Sequence, residues 1–259
     1  MLTYVINLDR QPERMARMAR LLDGVSFERV SAVEGRTLNG LERRAGEVPR
    51  CPEELTRYEL ALGLSHRETW RRFLLEGPAF CCVLEDDVIL SPDFPAFMKA
   101  EDWLPAGASI VKIEAFTRRR LLLGSQECGF MGRVLRPLLS SHLGTAGYII
   151  GRDAAAMLLS QTEVLSRPID HILFEDLLLE KQFKIYQLVP ALCIQERMNG
   201  APGLPPELQS TIQSKKRRLP RRQRALRELK RPFAALGNAM TFVFSGKIAA
   251  GRFRTVSYR

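Results

Sequence analysis

The segment "LTYVINLDRQPERMARMARLLDGVSFERVSAV", residues 2–33, reads as strand, helix, strand. Residues 2–8 are rich in β-branched and aromatic side chains, as a buried strand requires. Asp9 is placed to cap a helix, and Pro12 falls in the first helical turn, where its missing N–H costs little. Met15, Met18, Leu21 and Leu22 recur at helical spacing, Gly24 stops the helix, and residues 26–33 extend again. The chain thus opens β-α-β. Asn7, Asp9 and Arg10 lie after the first strand, at the end where open α/β sheets bind ligands.

The alternation continues outward. Residues 35–57 are polar and turn-rich and read as a mobile loop. Residues 57–77 carry Leu60, Leu64, Trp70, Phe73 and Leu74 at helical intervals. "AFCCVLEDDVIL" (79–90) reads as one central strand, 91–104 as turn and helix, and 108–116 as a strand. Residues 117–140 suggest a hairpin with Gly124 and Gly129 as turn signals. Residues 144–162 read as a short strand entering a helix, 167–182 as an acidic amphipathic stretch, and 183–189 and 191–196 as closing strands. Strands alternating with helices predict one Rossmann-type α/β domain over residues 1–210.

The 259 residues are 46% hydrophobic and 26% charged, an ordinary globular composition. The net charge of +10 is unevenly placed. Residues 1–210 hold 25 Lys and Arg against 28 Asp and Glu, a net of −3, whereas residues 211–259 hold 14 against 1, a net of +13. Five cysteines (Cys51, Cys81, Cys82, Cys128, Cys193), odd in number and without a CxxC pair, predict reduced thiols and a cytoplasmic protein. No secretory signal is expected at the N-terminus. No apolar run approaches the roughly 20 residues a membrane-spanning helix needs.

Within "CCVLEDDVIL" (81–90), Glu85, Asp86 and Asp87 stand between two apolar runs. Acids at a strand end are by default solvated or capping residues. Here the apolar Val88-Ile89-Leu90 comes next, and in an extended chain Glu85 and Asp87 point the same way. Such a pair repels unless a cation sits between, and a hard divalent ion with oxygen ligands suits it.

"YVINLDRQPER" (4–14), "FERVSAVEGRTL" (27–38), "ELALGLSHRETW" (59–70), "VLEDDVILSPDF" (83–94), "HLGTAGYIIGRDAAAMLL" (142–159) and "RPIDHIL" (167–173) occur in one order. Together they resemble glycosyltransferase family 25, the bacterial lipopolysaccharide sugar transferases and their relatives in collagen glycosylation. The resemblance covers roughly residues 1–197. It implies a GT-A-like fold with a mixed central sheet, a nucleotide-sugar donor (often UDP-galactose), inversion at the anomeric carbon, and Mn2+ or Mg2+. By the same resemblance, Glu85-Asp86-Asp87 is the family's version of a DxD metal motif. Asp87 is then the first choice for a metal ligand, with Glu85 or Asp86 contacting metal, ribose or sugar.

The resemblance extends to the other segments. Asn7, Asp9, Arg10 and Arg14 become the nucleotide-binding edge, where an anion is favoured beside a helix N-terminus. Gly35 would allow backbone to approach the ligand. Gly63 inside a helix costs up to about 1 kcal/mol relative to Ala, a sign of close packing or ligand approach. Ser65 and His66 complete the family's G-x-S-H pattern, which moves His66 from a structural role towards the donor site. Thr145 and Tyr148 are expected to line the sugar or acceptor pocket. Asp170 is the candidate general base for inversion, with Glu175 and Asp176 as fallbacks. His171 would complete the metal site, and Gln195 lies just past the last core strand.

Residues 215–231 hold ten basic residues and one acid, and small apolar and aromatic residues come after them. No aromatics interleave the basic run, so no nucleic acid partner is expected. A basic tail, helical or disordered, over 211–259 suits an anionic membrane surface, placing a lipid-linked or surface-glycan acceptor within reach at the inner face of the cytoplasmic membrane. The competing readings are an inactive sugar-nucleotide-binding or scaffold protein of the same fold and, further off, a nucleic-acid binder using the tail.

Overall fold

The computed structural model describes residues 1–38, 55–76, 78–196 and 251–258, and for 116–119 the main chain alone. The polar loop expected at 35–57 therefore lies largely outside the described residues, as does most of the basic tail. The opening is β-α-β: strand β1 (Leu2–Asn7), helix α1 (Pro12–Leu21) and strand β2 (Phe27–Ser31). Pro12 does begin α1, but the residue before the helix is Gln11 and no side chain caps it. Helix α2 (Arg57–Leu75) starts with a capping box: the Glu59 amide donates to Thr56 Oγ1 and the Thr56 amide to Glu59 Oε2.

The stretch expected as a single strand divides. Strand β3 (Phe80–Glu85) ends at the first acid, Asp86 and Asp87 form a turn, and β4 (Val88–Leu90) comes after it. The chain continues through α3 (Phe94–Lys99), β5 (Ile110–Lys112), β6 (Phe116–Leu123), β7 (Cys128–Phe130), β8 (Arg133–Pro137), β9 (Gly147–Gly151) and α4 (Arg152–Gln161). The acidic 167–182 stretch breaks into short pieces: α5 (Ile169–His171), a π-helical turn (Ile172–Asp176) and a 3-10 turn (Leu177–Leu179). Strands β10 (Ile185–Val189), β11 (Cys193–Gln195) and β12 (Arg252–Val256) complete it.

Eight strands form one sheet in the order β2-β1-β3-β9-β5-β10-β8-β7. The β2-β1-β3 neighbours and the β5-β10 pair are parallel, while β3-β9, β5-β9, β10-β8 and β7-β8 are antiparallel. This mixed α/β architecture is the expected fold class. Two core clusters cover its two faces. One takes Tyr4, Ile6, Cys81 and Val83 with Trp70 and Phe73 of α2. The other takes Val5, Cys82 and Leu84 with Met18 of α1 and Phe94 and Phe97 of α3. Burial on both faces is why β1 and β3 read as unbroken apolar runs.

Two expectations are corrected. Gly129 lies inside β7, and the hairpin turns at Met131-Gly132, both at positive φ; β6 pairs with β12 instead. The tail's last residues are also not separate from the body: β12 runs antiparallel to β6, and the Ala191 amide donates to the Ser257 carbonyl (2.9 Å).

Candidate active site

β1 lies between β2 and β3, so the chain leaves β1 for one neighbour and returns past it to the other. That reversal opens a crevice beyond the C-terminal ends of the parallel strands. The register places Ile6 beside Glu85 and Asn7 beside Ser31, so three strands end together there. A cleft at this edge is lined by Arg10, Arg14, Val33, Glu34, Gly35, Tyr58, Ser65 and all three acids, among others.

The three acids have separate surroundings. Asp86 is 8% exposed and accepts from Asn7 Nδ2 (2.7 Å) and Arg14 Nη1 (2.9 Å); Arg14 is 5% exposed. Asp86 therefore joins β1 and α1 to the turn. Asp87 lies half-buried; its carbonyl accepts from the Glu196 amide (2.9 Å), and Gln195 Nε2 approaches its Oδ1 at 3.5 Å. Gln195 arrives there because β11 pairs with β4, opposing Val88. Glu85 accepts from Thr145 Oγ1 (2.6 Å). Burial, then the Asp87 charge, with Glu114 and Asp86 adding, push its carboxyl well above the usual range, while the Thr145 hydroxyl opposes the shift.

Behind Glu85 lies a second charged group. Glu114, 4% exposed, pairs with the wholly buried Lys112 (3.0 Å), whose Nζ also sits 3.9 Å from the centre of the Phe174 ring. Lys112 donates to the Gly144 carbonyl as well. Gly144 has φ +107, and a Cβ there would meet both Glu114 carboxylate oxygens at 3.2 Å. The Gly144 amide donates to Asp170 Oδ2 (3.2 Å), and the His171 amide to Asp170 Oδ1 (3.0 Å). Gly144 thus links Asp170 to the Thr145–Glu85 side of the crevice.

On the cleft wall Arg10 Nε donates to Glu34 Oε2 (2.5 Å). Burial works against Glu34's ionised form, but Arg10 and the Arg36 amide outweigh it and lower its carboxyl. Ser65 Oγ donates to the Ala61 carbonyl (2.7 Å) and accepts from the Val33 amide (2.9 Å), tying α2 to the segment after β2. Gly35 lines the cleft, but its missing Cβ is explained by protein: that atom would sit 2.8 Å from Tyr58 Cδ1 and 3.1 Å from the Arg57 carbonyl. Gly63 is likewise a packing glycine, its Cβ position 2.7 Å from Leu165 Cδ1.

Four expected residues are placed elsewhere. Asp9 turns outward to Ser31 Oγ (2.5 Å) and Arg29, whose hydrogen bonds lower its carboxyl, and it does not line the cleft. Tyr148 is wholly buried and cannot line a pocket; its hydroxyl accepts from Trp70 Nε1 (3.0 Å) and bonds His66 Nδ1 (2.9 Å). His66 is wholly buried too, its Nε2 4.0 Å from Glu85 Oε1. Burial, with the Lys112 charge, lowers its pKa to about 3, so it faces Glu85 as a neutral imidazole rather than an ion-pair partner. His171 Nδ1 bonds Glu175 Oε2 (2.6 Å) and lies 3.3 Å from Arg167 Nη2. The fallback Asp176 is also bonded to Arg167. Sequence reading missed Tyr58, Lys112 and Glu114. The only signal for Tyr58 was the Thr56–Glu59 box, which fixes the start of its helix.

Among the described residues, no three His, Cys, Asp or Glu side chains group as a metal cage. Glu85 and Asp87 are nonetheless two hard oxygen donors whose charges oppose each other. Mg2+ typically takes one or two carboxylates and completes its shell with water and substrate phosphate oxygens. The residues present fit an ion held in that manner.

The description "Glycosyltransferase family 25 (LPS biosynthesis protein)" belongs to the family model that matches residues 1–173. Among curated relatives, the lacto-N-neotetraose biosynthesis glycosyltransferases LgtB and LgtE of Neisseria meningitidis serogroup B are 33% and 31% identical over 210 residues. These spans are 76% of this chain and 76% and 74% of theirs. A glycosyltransferase involved in the glycosylation of the major capsid of PBCV-1 is a solved structure of weaker likeness: 12% identity, TM-score 0.39, covering 75% of this chain and 91% of that one. The ordered segments that meet around Glu85, Asp86 and Asp87 are matched along two thirds of the sequence, and this chain belongs to glycosyltransferase family 25.

Proposed function

We propose that this chain transfers a sugar, galactose first among candidates, from a UDP-sugar to a lipopolysaccharide or related surface-glycan acceptor, inverting the anomeric carbon. The observation that carries the reading is the meeting of Glu85, Asp87, Thr145 and Gln195 at the strand ends, beside a cleft edged by Arg10 and Arg14. The names of the Neisseria relatives support an oligosaccharide acceptor.

Tyr58 and residues 33–35 form one wall of the cleft and are assigned to the nucleotide. Arg10 is assigned to the phosphates. Glu85 and Asp87 would hold Mn2+ or Mg2+, which when bound neutralises charge on the donor's diphosphate. Asp87 remains the first choice because Asp86 is committed to Arg14 and Asn7. Asp170, steadied by the Gly144 and His171 amides, is assigned to take the proton from the acceptor hydroxyl. The 215–231 basic run is assigned to an anionic membrane surface on the cytoplasmic side.

Calorimetric titration with UDP, with and without Mn2+, tests the donor site. Asp87→Asn should abolish the metal-dependent part of binding; wild-type binding in that variant would remove the metal assignment. Donor hydrolysis across a panel of nucleotide sugars identifies base and sugar, and the absence of turnover with every donor and acceptor would favour a binding protein. Asp170→Asn should keep donor affinity and lose transfer. For the tail, replacing the basic residues of 215–231 by Gln is preferable to deletion, because deleting 211–259 would also remove β12. Undiminished binding to anionic liposomes would refute the membrane role.

A further inference from the structure

A second cavity, ≈ 380 Å³, lies where the end of β6, strand β8 and β12 come together. Its lining is Gly124, Ser125, Gln126, Arg136, Gly251, Arg252 and Arg254, so it shares no residue with the cleft. Three of these seven are arginines, and no acid is among them. Arg252 and Arg254 are two apart on β12, opposite Leu123 and Leu121, and strand alternation puts both on one face.

Arg136 joins them from β8, steadied by a hydrogen bond from its Nη1 to the Gly124 carbonyl (3.2 Å). Burial, with the Arg254 and Arg252 charges adding, holds its guanidinium below the ordinary value. Arg254 Nε is buried and has no hydrogen-bond partner among the described residues. Three like charges around one cavity repel one another, and a bound anion offsets that repulsion. Guanidinium groups bind tetrahedral oxyanions through paired N–H donors, and arginine is favoured over lysine where that geometry matters.

We propose that the cavity between β6, β8 and β12 is a phosphate-group binding site formed by Arg136, Arg252 and Arg254. Its ligand is a phosphate ester, carried either on a soluble molecule or on a lipid headgroup. Ser125 and Gln126 supply neutral polar groups at the rim. The site depends on the C-terminal strand, since two of its three cations come from β12.

The test uses the full-length protein and inorganic phosphate as probe. Thermal unfolding is monitored across a phosphate titration, with chloride adjusted to constant ionic strength. Phosphate should stabilise the wild type saturably. Arg252→Gln and Arg254→Gln should each raise the half-saturating concentration roughly tenfold, the loss expected for one charge-assisted contact. Arg252 is exposed, so its variant removes charge without disturbing packing. A control, Lys181→Gln/Lys184→Gln, removes two exposed charges that line neither the cleft nor this cavity and should leave the titration unchanged. Absence of saturable stabilisation in the wild type overturns the proposal, as does an equal loss in the control. Sedimentation with phosphatidylcholine vesicles, with and without phosphatidic acid, separates the sources when the basic residues of 215–231 are Gln, so that only the cavity is read. Loss of phosphatidic-acid binding in Arg252→Gln assigns the phosphate to a lipid headgroup. Retained vesicle binding together with weakened inorganic phosphate binding assigns it to a soluble ester.

Discussion

Asp86→Asn should separate scaffold from chemistry within the acidic triplet. In the wild type, Asp86 and Arg14 are 8% and 5% exposed and 2.9 Å apart, with Asn7 Nδ2 on the other carboxylate oxygen. Replacing the carboxylate with an amide takes the Asp86 charge away from the Arg14 guanidinium in a dry site. Breaking a buried pair from one side costs about 3–5 kcal/mol. For a domain of this size each kcal/mol lowers Tm by roughly 2–4 °C, so a fall of about 6–20 °C is expected by calorimetry or circular dichroism. Asp87→Asn, whose side chain is half-buried at the cleft, should melt within about 1 kcal/mol of wild type. The double variant Arg14→Met/Asp86→Asn removes both charges and should recover part of the loss, giving a coupling of about 2 kcal/mol. At a temperature where all variants are folded, Asp86→Asn should still bind UDP with Mn2+, and Asp87→Asn should not. If Asp86→Asn melts like wild type, or both variants lose donor binding equally, the division of labour drawn from these contacts is wrong.

Three further outcomes are expected. Tyr148→Phe strips the partner from Trp70 Nε1 and His66 Nδ1 in the core, so it should cost about 1–3 kcal/mol in chemical denaturation while leaving the donor KM unchanged. His66 titrates near pH 3 when folded but near 6.5 when unfolded, so the unfolded chain binds the extra proton between those values. Its contribution is complete above about pH 6.5 and lost as pH falls, about 2 kcal/mol by pH 5. His66→Gln should flatten the acid limb of the stability–pH curve, and an unchanged slope would contradict a buried neutral imidazole. Gly35→Ala places a Cβ 2.8 Å from Tyr58 Cδ1 and must displace that ring or the loop. It should raise the donor KM several-fold with little change in Tm, and an unaltered KM would remove Tyr58 from the nucleotide wall.

The fold was legible wherever burial was two-sided. β1, β3 and β9 are apolar but for Thr3 and their site-facing ends at Asn7 and Glu85, because helices cover both faces, and α2 carries its own start signal. The break at Asp86-Asp87 was not legible, because Val88-Ile89-Leu90 is buried by pairing with β11, a contact about a hundred residues away. The neighbourhood of Glu85 was legible from its motif, but local sequence does not say which acid meets an arginine. That depends on Arg14 lying in the first turn of α1, where it reaches Asp86. Tyr148 reads as a strand-edge residue, yet β9 is central and its hydroxyl is answered by Trp70 and His66. Lys112 and Glu114 were passed over because a strand end with mixed charge reads as solvated, whereas each neutralises the other in the interior. β12 was hidden by composition: an arginine-rich pentapeptide at the end of a basic tail shows no strand until β6 is there to receive it.

β12 changes what kind of object the basic segment is. Glu196 stands beside Asp87, Gly251 leads into β12, and Tyr258 lies against Ala191. Glu196 and β12 therefore belong to one body, and the sequence between them joins two fixed points on it. One of these points stands next to the acids at the cleft. A displacement of Glu196 would reach Asp87 through their hydrogen bond and through Gln195, and a truncation that removed β12 would release the other fixed point.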